Sequence, residues 1–302
     1  MSDSPSIFNF GYFFLILCIF ITLTLEPTIQ IGQQISLLKE NTEFSCSLLV
    51  GKNYLSYVIS DTEYKDLYQL KHYYFENKVL GKNDFNAIFS DPIFHKIRRM
   101  KIAIDSSKST LVPTSLFSQT NQNDYFGLIY NLPFEEELHT QALNDNKTSV
   151  FSLKKSTVSF LRSKAGNVTF YDASSCLLNT YPSMLNNEER HTFFVCVKDD
   201  CATLSIYHHE ALLLHQTYTD ITTSDITYHI ANFIAVHQLS KEHVSIQLHG
   251  ESKRLITVSD ELNRYFPDVK YCNRVSALKY PDTMLAQPTQ YFFNLLSLVT
   301  CA

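Results

Sequence analysis

Twice along this chain the same order of elements recurs: strand, strand, strand, helix, strand. The clearer copy lies within 191–252. Residues 192–197 form an apolar, β-rich run with FFVCV at its centre, and Lys198-Asp199-Asp200 breaks it. Residues 202–207 then alternate, with Leu204 and Ile206 on one face and Thr203, Ser205 and Tyr207 on the other. His208-His209-Glu210 is a second break, and 211–218 returns as a strand. Ser224 opens a helix running to about residue 238, and 244–248 closes with a strand before Gly250. The other copy has strands over 45–50 and 54–60 around the turn Gly51-Lys52-Asn53, and a third over 67–75. A helix capped by Asn83 or Asp84 ends near Pro92, and a fourth strand follows over 100–105. The two copies share element order without obvious identity. A three-stranded meander, a crossover helix and a fourth strand make a mixed α/β layer. Its duplication predicts two lobes, 44–190 and 191–302.

The remaining segments read less sharply. Residues 111–117 suggest a turn and short helix, 125–131 a strand or helix, and Glu135-Glu136-Glu137 a solvated loop or helix start. A strand over 148–153, a helix over 155–162, a strand over 168–171 and a helix over 174–185 interrupted at Pro182 lead to a lobe boundary at 186–190. Ser259 is expected to cap a helix to 265, with a strand over 269–272 and a loop over 281–288. The apolar run 291–299 reads as a terminal core element, too short to cross a bilayer.

Residues 7–25 carry no charge, and thirteen of them are Ile, Leu or Phe. As a helix they would span about 28 Å, close to the ~30 Å of a hydrocarbon core. Three readings stand open: a single-pass membrane anchor, an extension upstream of the true start, or a cleaved leader. The leader lacks a preceding Lys or Arg and a clean small-x-small site. Residues 26–42 read as a linker with an amphipathic patch at Ile29, Ile31, Ile35 and Leu37.

Apolar residues make up 45% and charged residues 18%, which places the chain among globular proteins. A net charge of −5 argues against nucleic acid as a partner. The one basic knot, Lys96, Arg98, Arg99 and Lys101, reads as a solvated face. Glycine is scarce, at seven residues in 302, which counts against loops that wrap phosphates. The seven cysteines contain no C-x-x-C, and an odd, unpatterned set predicts reduced, buried thiols in a cytoplasmic body.

Four stretches carry a family resemblance: SCSLLVGKNYLSYVISD at 45–61, STLVPTSLF at 109–117, the run from Phe193 through HHEALLLHQTYTD to Asp220, and VSIQLHGE at 244–251. They resemble an uncharacterised bacterial family of unknown function with a duplicated RNase-H-like fold, the architecture of actin, hexokinase and the heat-shock chaperones. That resemblance implies two lobes with ATP and Mg²⁺ between them, gripped by one strand-turn in each lobe and an adenosine loop with paired glycines. Here the first turn keeps Gly51, Lys52 and Asn53 but has no Asp to hold hydrated Mg²⁺. The second has Lys198, Asp199 and Asp200 but no glycine, and the adenosine position keeps the single Gly250. The implied nucleotide site is therefore degenerate.

Other chemistry finds little footing. A two-metal nuclease needs a carboxylate on the first strand of a lobe, and neither 45–50 nor 192–197 has one. Seven of the eleven histidines fall between His208 and His249, yet none makes an H-x-x-x-H pair, and His208 and His209 are expected on opposite faces of a hairpin tip. No metal or catalytic residue is predicted. Tyr64, Tyr68, Tyr73 and Tyr74 suit either a sheet face or an interface. The expectation is a non-catalytic interaction or scaffold protein with a protein partner and no cofactor. The alternative is a nucleotide-binding switch or weak ATPase using Gly51, Lys52, Asn53, Lys198, Asp199, Asp200 and Gly250.

Overall fold

The computed structural model describes residues 25–32, 43–76, 79–105, 108–185 and 189–301. The helix expected over 7–25 lies outside the described residues, apart from Leu25, which is not helical. Among the described residues no helix is long and apolar enough to cross a membrane.

The first sheet contains β1 (Ile29–Gly32), β2 (Phe44–Val50), β3 (Tyr54–Ser60) and β4 (Leu67–Tyr74). After α1 (Lys82–Phe89) comes β5 (Ile97–Ile104). A small insert follows, built from β6 (Ser109–Pro113), α2 (Gln122–Gly127), β7 (Glu136–Ala142) and β8 (Lys147–Lys154). The chain re-enters the first sheet through α3 (Lys155–Arg162), β9 (Asn167–Asp172) and α4 (Ala173–Thr180). The second sheet takes β10 (His191–Val197), β11 (Cys201–His208), β12 (Ala211–Thr219), α5 (Thr223–Val236), β13 (Val244–His249), α6 (Arg254–Leu262) and β14 (Val269–Tyr271). Two more helices, α7 (Asp282–Leu285) and α8 (Phe293–Thr300), complete the described chain.

The repeated element order becomes a repeated topology. The sheets run β1-β4-β3-β2-β5-β9 and β12-β11-β10-β13-β14. Once the extra edge strand β1 is set aside, both read third, second, first, fourth, fifth. The first three strands are antiparallel and the last two parallel in each. Central strands β2 and β10 are buried on both faces, which is why they read as near-continuous apolar runs.

Alternation along β2 sends Phe44, Cys46, Leu48 and Val50 outward to α1 and α3, and Leu49 inward. In β10, Phe193, Val195 and Val197 face α5 and α6, while Phe194 and Cys196 face inward. The two inward faces share one core filled by α4 and α8. Tyr181, just past α4, stacks on Phe194 at 4.0 Å, and its hydroxyl meets His249 Nε2 at 2.7 Å. Thus α8, last in sequence, packs on β2 and β5 of the first sheet. Lys101 of β5 closes its C-terminal end, donating to the carbonyls of Val299 and Cys301, and its ammonium lies 3.9 Å from the Tyr64 ring centre. That removes Lys101 from the solvated basic face expected of it, whereas Arg98 pairs with Glu43 at the surface.

Several local expectations are corrected. The helix cap at 83–84 is Gly81, whose amide donates to Asp84 Oδ2 at 2.9 Å. Helix α5 is capped two residues early, by a Thr222–Asp225 box. Ser259 is no cap; it lies buried within α6, which starts after Ser252 accepts the Arg254 amide at 3.1 Å. The acidic run is no loop or helix start, since Glu136 and Glu137 open β7, where Glu136 meets Lys108 and Glu137 meets His139. Residues 109–113 are strand before a short 3₁₀ turn, 29–32 are strand rather than linker, and 282–285 are helix rather than loop.

Candidate functional site

Both turns singled out in the sequence stand at the same end of their sheets and face each other. In the first, Gly51 N donates to Tyr54 O at 2.9 Å; in the second, Lys198 N donates to Cys201 O at 2.9 Å. Between them lies a cleft of about 560 Å³, within the range of small-molecule sites. Lys52, Asn53, Lys198, Asp199 and Asp200 all line it. Gly51 and Gly250 do not; they shape the backbone behind it. Gly250 has φ +138°, and a Cβ there would fall 2.1 Å from the Val197 carbonyl oxygen, so the close approach of β13 to β10 requires glycine.

Contacts across the cleft join the two halves. Lys52 Nζ pairs with Asp200 Oδ2 at 3.1 Å, and Asn53 donates to Asp199 Oδ2 at 3.4 Å. Tyr74, at the end of β4, donates to the same Asp199 oxygen at 2.9 Å, and Ser252 donates to its Oδ1 at 2.9 Å. Deeper, Lys198 Nζ meets Asp105 Oδ1 at 2.5 Å, while Tyr54 donates to Asp105 Oδ2 at 3.1 Å. Both partners of the Lys198–Asp105 pair are nearly buried, with side chains 13% and 11% exposed. Burial works against the Lys198 charge, but the Asp105 carboxylate outweighs it and holds the ammonium above its ordinary range.

Two more carboxyls stand near Asp105: Glu251 lines the cleft, and Asp172 is buried outside its lining. Burial and the neighbouring Asp105 raise Glu251 to about 7. Burial raises Asp172 to about 6, although its Oδ2 accepts the Ser175 amide and hydroxyl at 3.0 Å each and so caps α4. Oδ1 of Asp172 and Oε1 of Glu251 are buried without hydrogen-bond partners. Burial also pushes the Cys196 thiol to about 12 and Cys201 to about 11, so neither is a thiolate at neutral pH.

The histidines serve packing. His229 stacks on Tyr218 and His237 on Phe233. His208 and His209 are not on opposite faces: a left-handed turn at His209 brings their rings to 4.3 Å, and His191 stacks on His208 at 4.2 Å. Among the described residues no group of three or more His, Cys, Asp or Glu could hold a metal ion.

Sequence reasoning missed Tyr54, Tyr74, Glu251 and Ser252 as cleft residues and placed Asp105 only at a strand end. The available signal was position: Asp105 directly follows β5, and Glu251 comes two residues after the end of β13, the two fourth strands.

Comparison with known proteins follows the architecture. A search of curated proteins finds no match. A Bacteroides thetaiotaomicron protein with actin-like ATPase fold and unknown function is similar, with a TM-score of 0.72 at 18% identity, covering 87% of this chain and 98% of that one. A chain of a PilM–PilN type IV pilus biogenesis complex gives a TM-score of 0.59 at 13% identity, covering 84% of this chain and 97% of that one. Residues 36–269, well over half of the chain, match the family described as "Protein of unknown function (DUF3822)". The chain therefore belongs to that family, and its fold is that of the actin-like ATPases.

Proposed function

We propose that this protein is a non-catalytic interaction or scaffold protein on a degenerate actin-like fold of two lobes, 44–190 and 191–302. One observation carries the reading. The polar groups of the two strand-turns already have partners: Lys198 holds Asp105 at the end of β5, Lys52 holds Asp200, and Asn53 meets Asp199. A phosphate chain entering here would have to displace Asp105 from the nearly buried Lys198, and it would meet the negative charge of the carboxylates lining the cleft. The second turn also lacks a glycine that would let its amides close on phosphate. A chain of similar fold occurs in the PilM–PilN complex, which supports a protein partner in kind without identifying it.

The second reading, a nucleotide-binding switch or weak ATPase, draws on the size of the cleft and its position between the lobes. Isothermal titration of the full chain with Mg-ATP and Mg-ADP separates the two. The scaffold reading expects no binding heat; saturable binding weakened by Asp199→Ala would replace it with the switch.

A further inference from the structure

The two sheets follow one plan, but only the first has the outer edge of its meander closed. There the third strand, β4, pairs on its far side with β1, antiparallel, from Ile29 opposite His72 to Gly32 opposite Gln69. In the second sheet the third strand, β12, is itself the edge. Among the described residues no strand or isolated bridge pairs with its outer side.

The two edges match residue by residue. Each carries one extra residue near its start. Ile59 and Ser60 of β3 pair with Gln69 and Leu67, which leaves Tyr68 as a bulge; Ile206 and Tyr207 of β11 pair with Leu214 and Leu212, which leaves Leu213 as one. Farther on, the Phe75 amide donates to the Asn53 carbonyl and the Asp220 amide to the Asp200 carbonyl, at matching positions past the two bulges. Residues 214–217 are therefore the counterpart of 69–72, the stretch that β1 covers. Alternation back from Asp220 turns the backbone N–H and C=O groups of His215, Thr217 and Thr219 outward. No Pro, Lys, Arg, Asp or Glu within β12 blocks them, and a bare edge of this kind is a template for another strand.

The pairing of β1 defines what a closing strand needs. Gly32 lies opposite Gln69, beside the bulge, with φ +103°, and a Cβ there would collide with the Tyr68 carbonyl oxygen. The bulged carbonyl admits glycine and excludes a side chain, so the matching bulge at Leu213 asks for glycine opposite Leu214. Charge adds a second requirement. The exposed Glu210 and Asp220 bracket β12, and a strand with a cation beyond each end complements them. A second copy fits neither requirement. Its β12 has no glycine, and antiparallel self-pairing centred on His215 would set Glu210 against Asp220 at both ends.

We propose that the outer edge of β12 is the docking site for an extended segment of a partner protein, laid antiparallel as an added strand, with glycine opposite Leu214 and Lys or Arg beyond each end. This rests on the partner-binding reading above and gives that partner a place and a chemistry.

The test uses a synthetic peptide, Lys-Thr-Thr-Ile-Gln-Ile-Gly-Thr-Thr-Lys, whose centre copies β1. Isothermal titration into the full chain should give saturable binding. Hydrogen exchange should slow over 214–219 and stay unchanged over 69–72. Valine in place of the peptide's glycine should weaken binding about tenfold or more, and glutamate in place of its lysines should weaken it severalfold. In the protein, Thr217→Pro removes an outward donor and should abolish binding, while Glu210→Gln with Asp220→Asn should weaken it. No binding, equal binding of the valine peptide, or exchange that slows at 69–72 instead of 214–219 overturns the proposal. If Thr217→Pro does not fold, the exchange pattern and the valine peptide decide alone. Sedimentation of the protein without peptide adds one more outcome: a dimer that Glu210→Gln with Asp220→Asn strengthens and that slows exchange over 214–219 gives the edge to a second copy and overturns the partner strand. Failure of the peptide leaves the scaffold reading standing, since only saturable Mg-ATP binding in the same titration removes that.

Discussion

Lys198 Nζ and Asp105 Oδ1 stand 2.5 Å apart, although the two residues are 93 positions apart in sequence and belong to different sheets. Asp105 follows β5 of the first sheet, and Lys198 opens the β10–β11 turn of the second. One nearly buried ion pair thus bonds the two halves at the floor of the cleft that divides them.

Breaking that pair from one side should be expensive. Asp105→Asn leaves a buried ammonium without its counter-charge and should cost about 3–5 kcal/mol in urea unfolding. The double variant Asp105→Leu with Lys198→Met removes both charges and should recover at least half of that loss. A double variant as unstable as the single one would show that the loss does not come from an orphaned buried charge.

Glu251 sets a pH dependence of opposite sign to an ordinary paired carboxylate. Its folded value, about 7, lies above the usual carboxylic range, so the folded state holds its proton where the unfolded chain has released it. The destabilisation is absent below about pH 4.5, grows as pH rises toward 7, and stays at its full value above. Asp172, raised to about 6, adds in the same direction over a narrower window. Glu251→Gln should therefore be more stable than wild type by about 1–3 kcal/mol at pH 8, with the difference fading near pH 4.5. Denaturation midpoints across that range check this directly.

Gly250→Ala should cost at least about 2 kcal/mol. The left-handed backbone strains any side chain, and the added Cβ meets the Val197 carbonyl. Chemical denaturation measures the loss. A neutral result would mean that β13 can shift away from β10 freely.

Tyr181→Phe removes the hydroxyl that partners His249 Nε2 in the core between the sheets. The buried ring would then lose its Nε2 partner with no solvent water at hand to replace it. A loss of about 1–3 kcal/mol is expected in urea unfolding, with little change in m because the core keeps its shape.

Much of the fold was legible because its central strands are buried on both faces. In 45–50 and 192–197 no polar face blurs the strand signal, and the polar turns that follow stand out sharply. The errors came where a side chain answers to a partner distant in sequence. Glu136 looks solvated until Lys108 is seen beside it, and Lys101 looks like part of a basic surface until α8 ends above it. The same holds at the cleft. Lys52, Asn53 and the Lys198–Asp200 turn could be named from their position between strands. Asp105 and Glu251 acquire their meaning only when the two sheets close on Lys198, and nothing local to either residue announces that.

The central claim is that the polar groups of the two strand-turns are satisfied within the protein. Thermal unfolding of the full chain with and without millimolar Mg-ATP tests it most directly. A site saturated a hundredfold above its Kd would add about 2.7 kcal/mol and raise Tm by several degrees. The account predicts no shift. A rise of that size that disappears in Asp199→Ala would contradict it and make the cleft a nucleotide site.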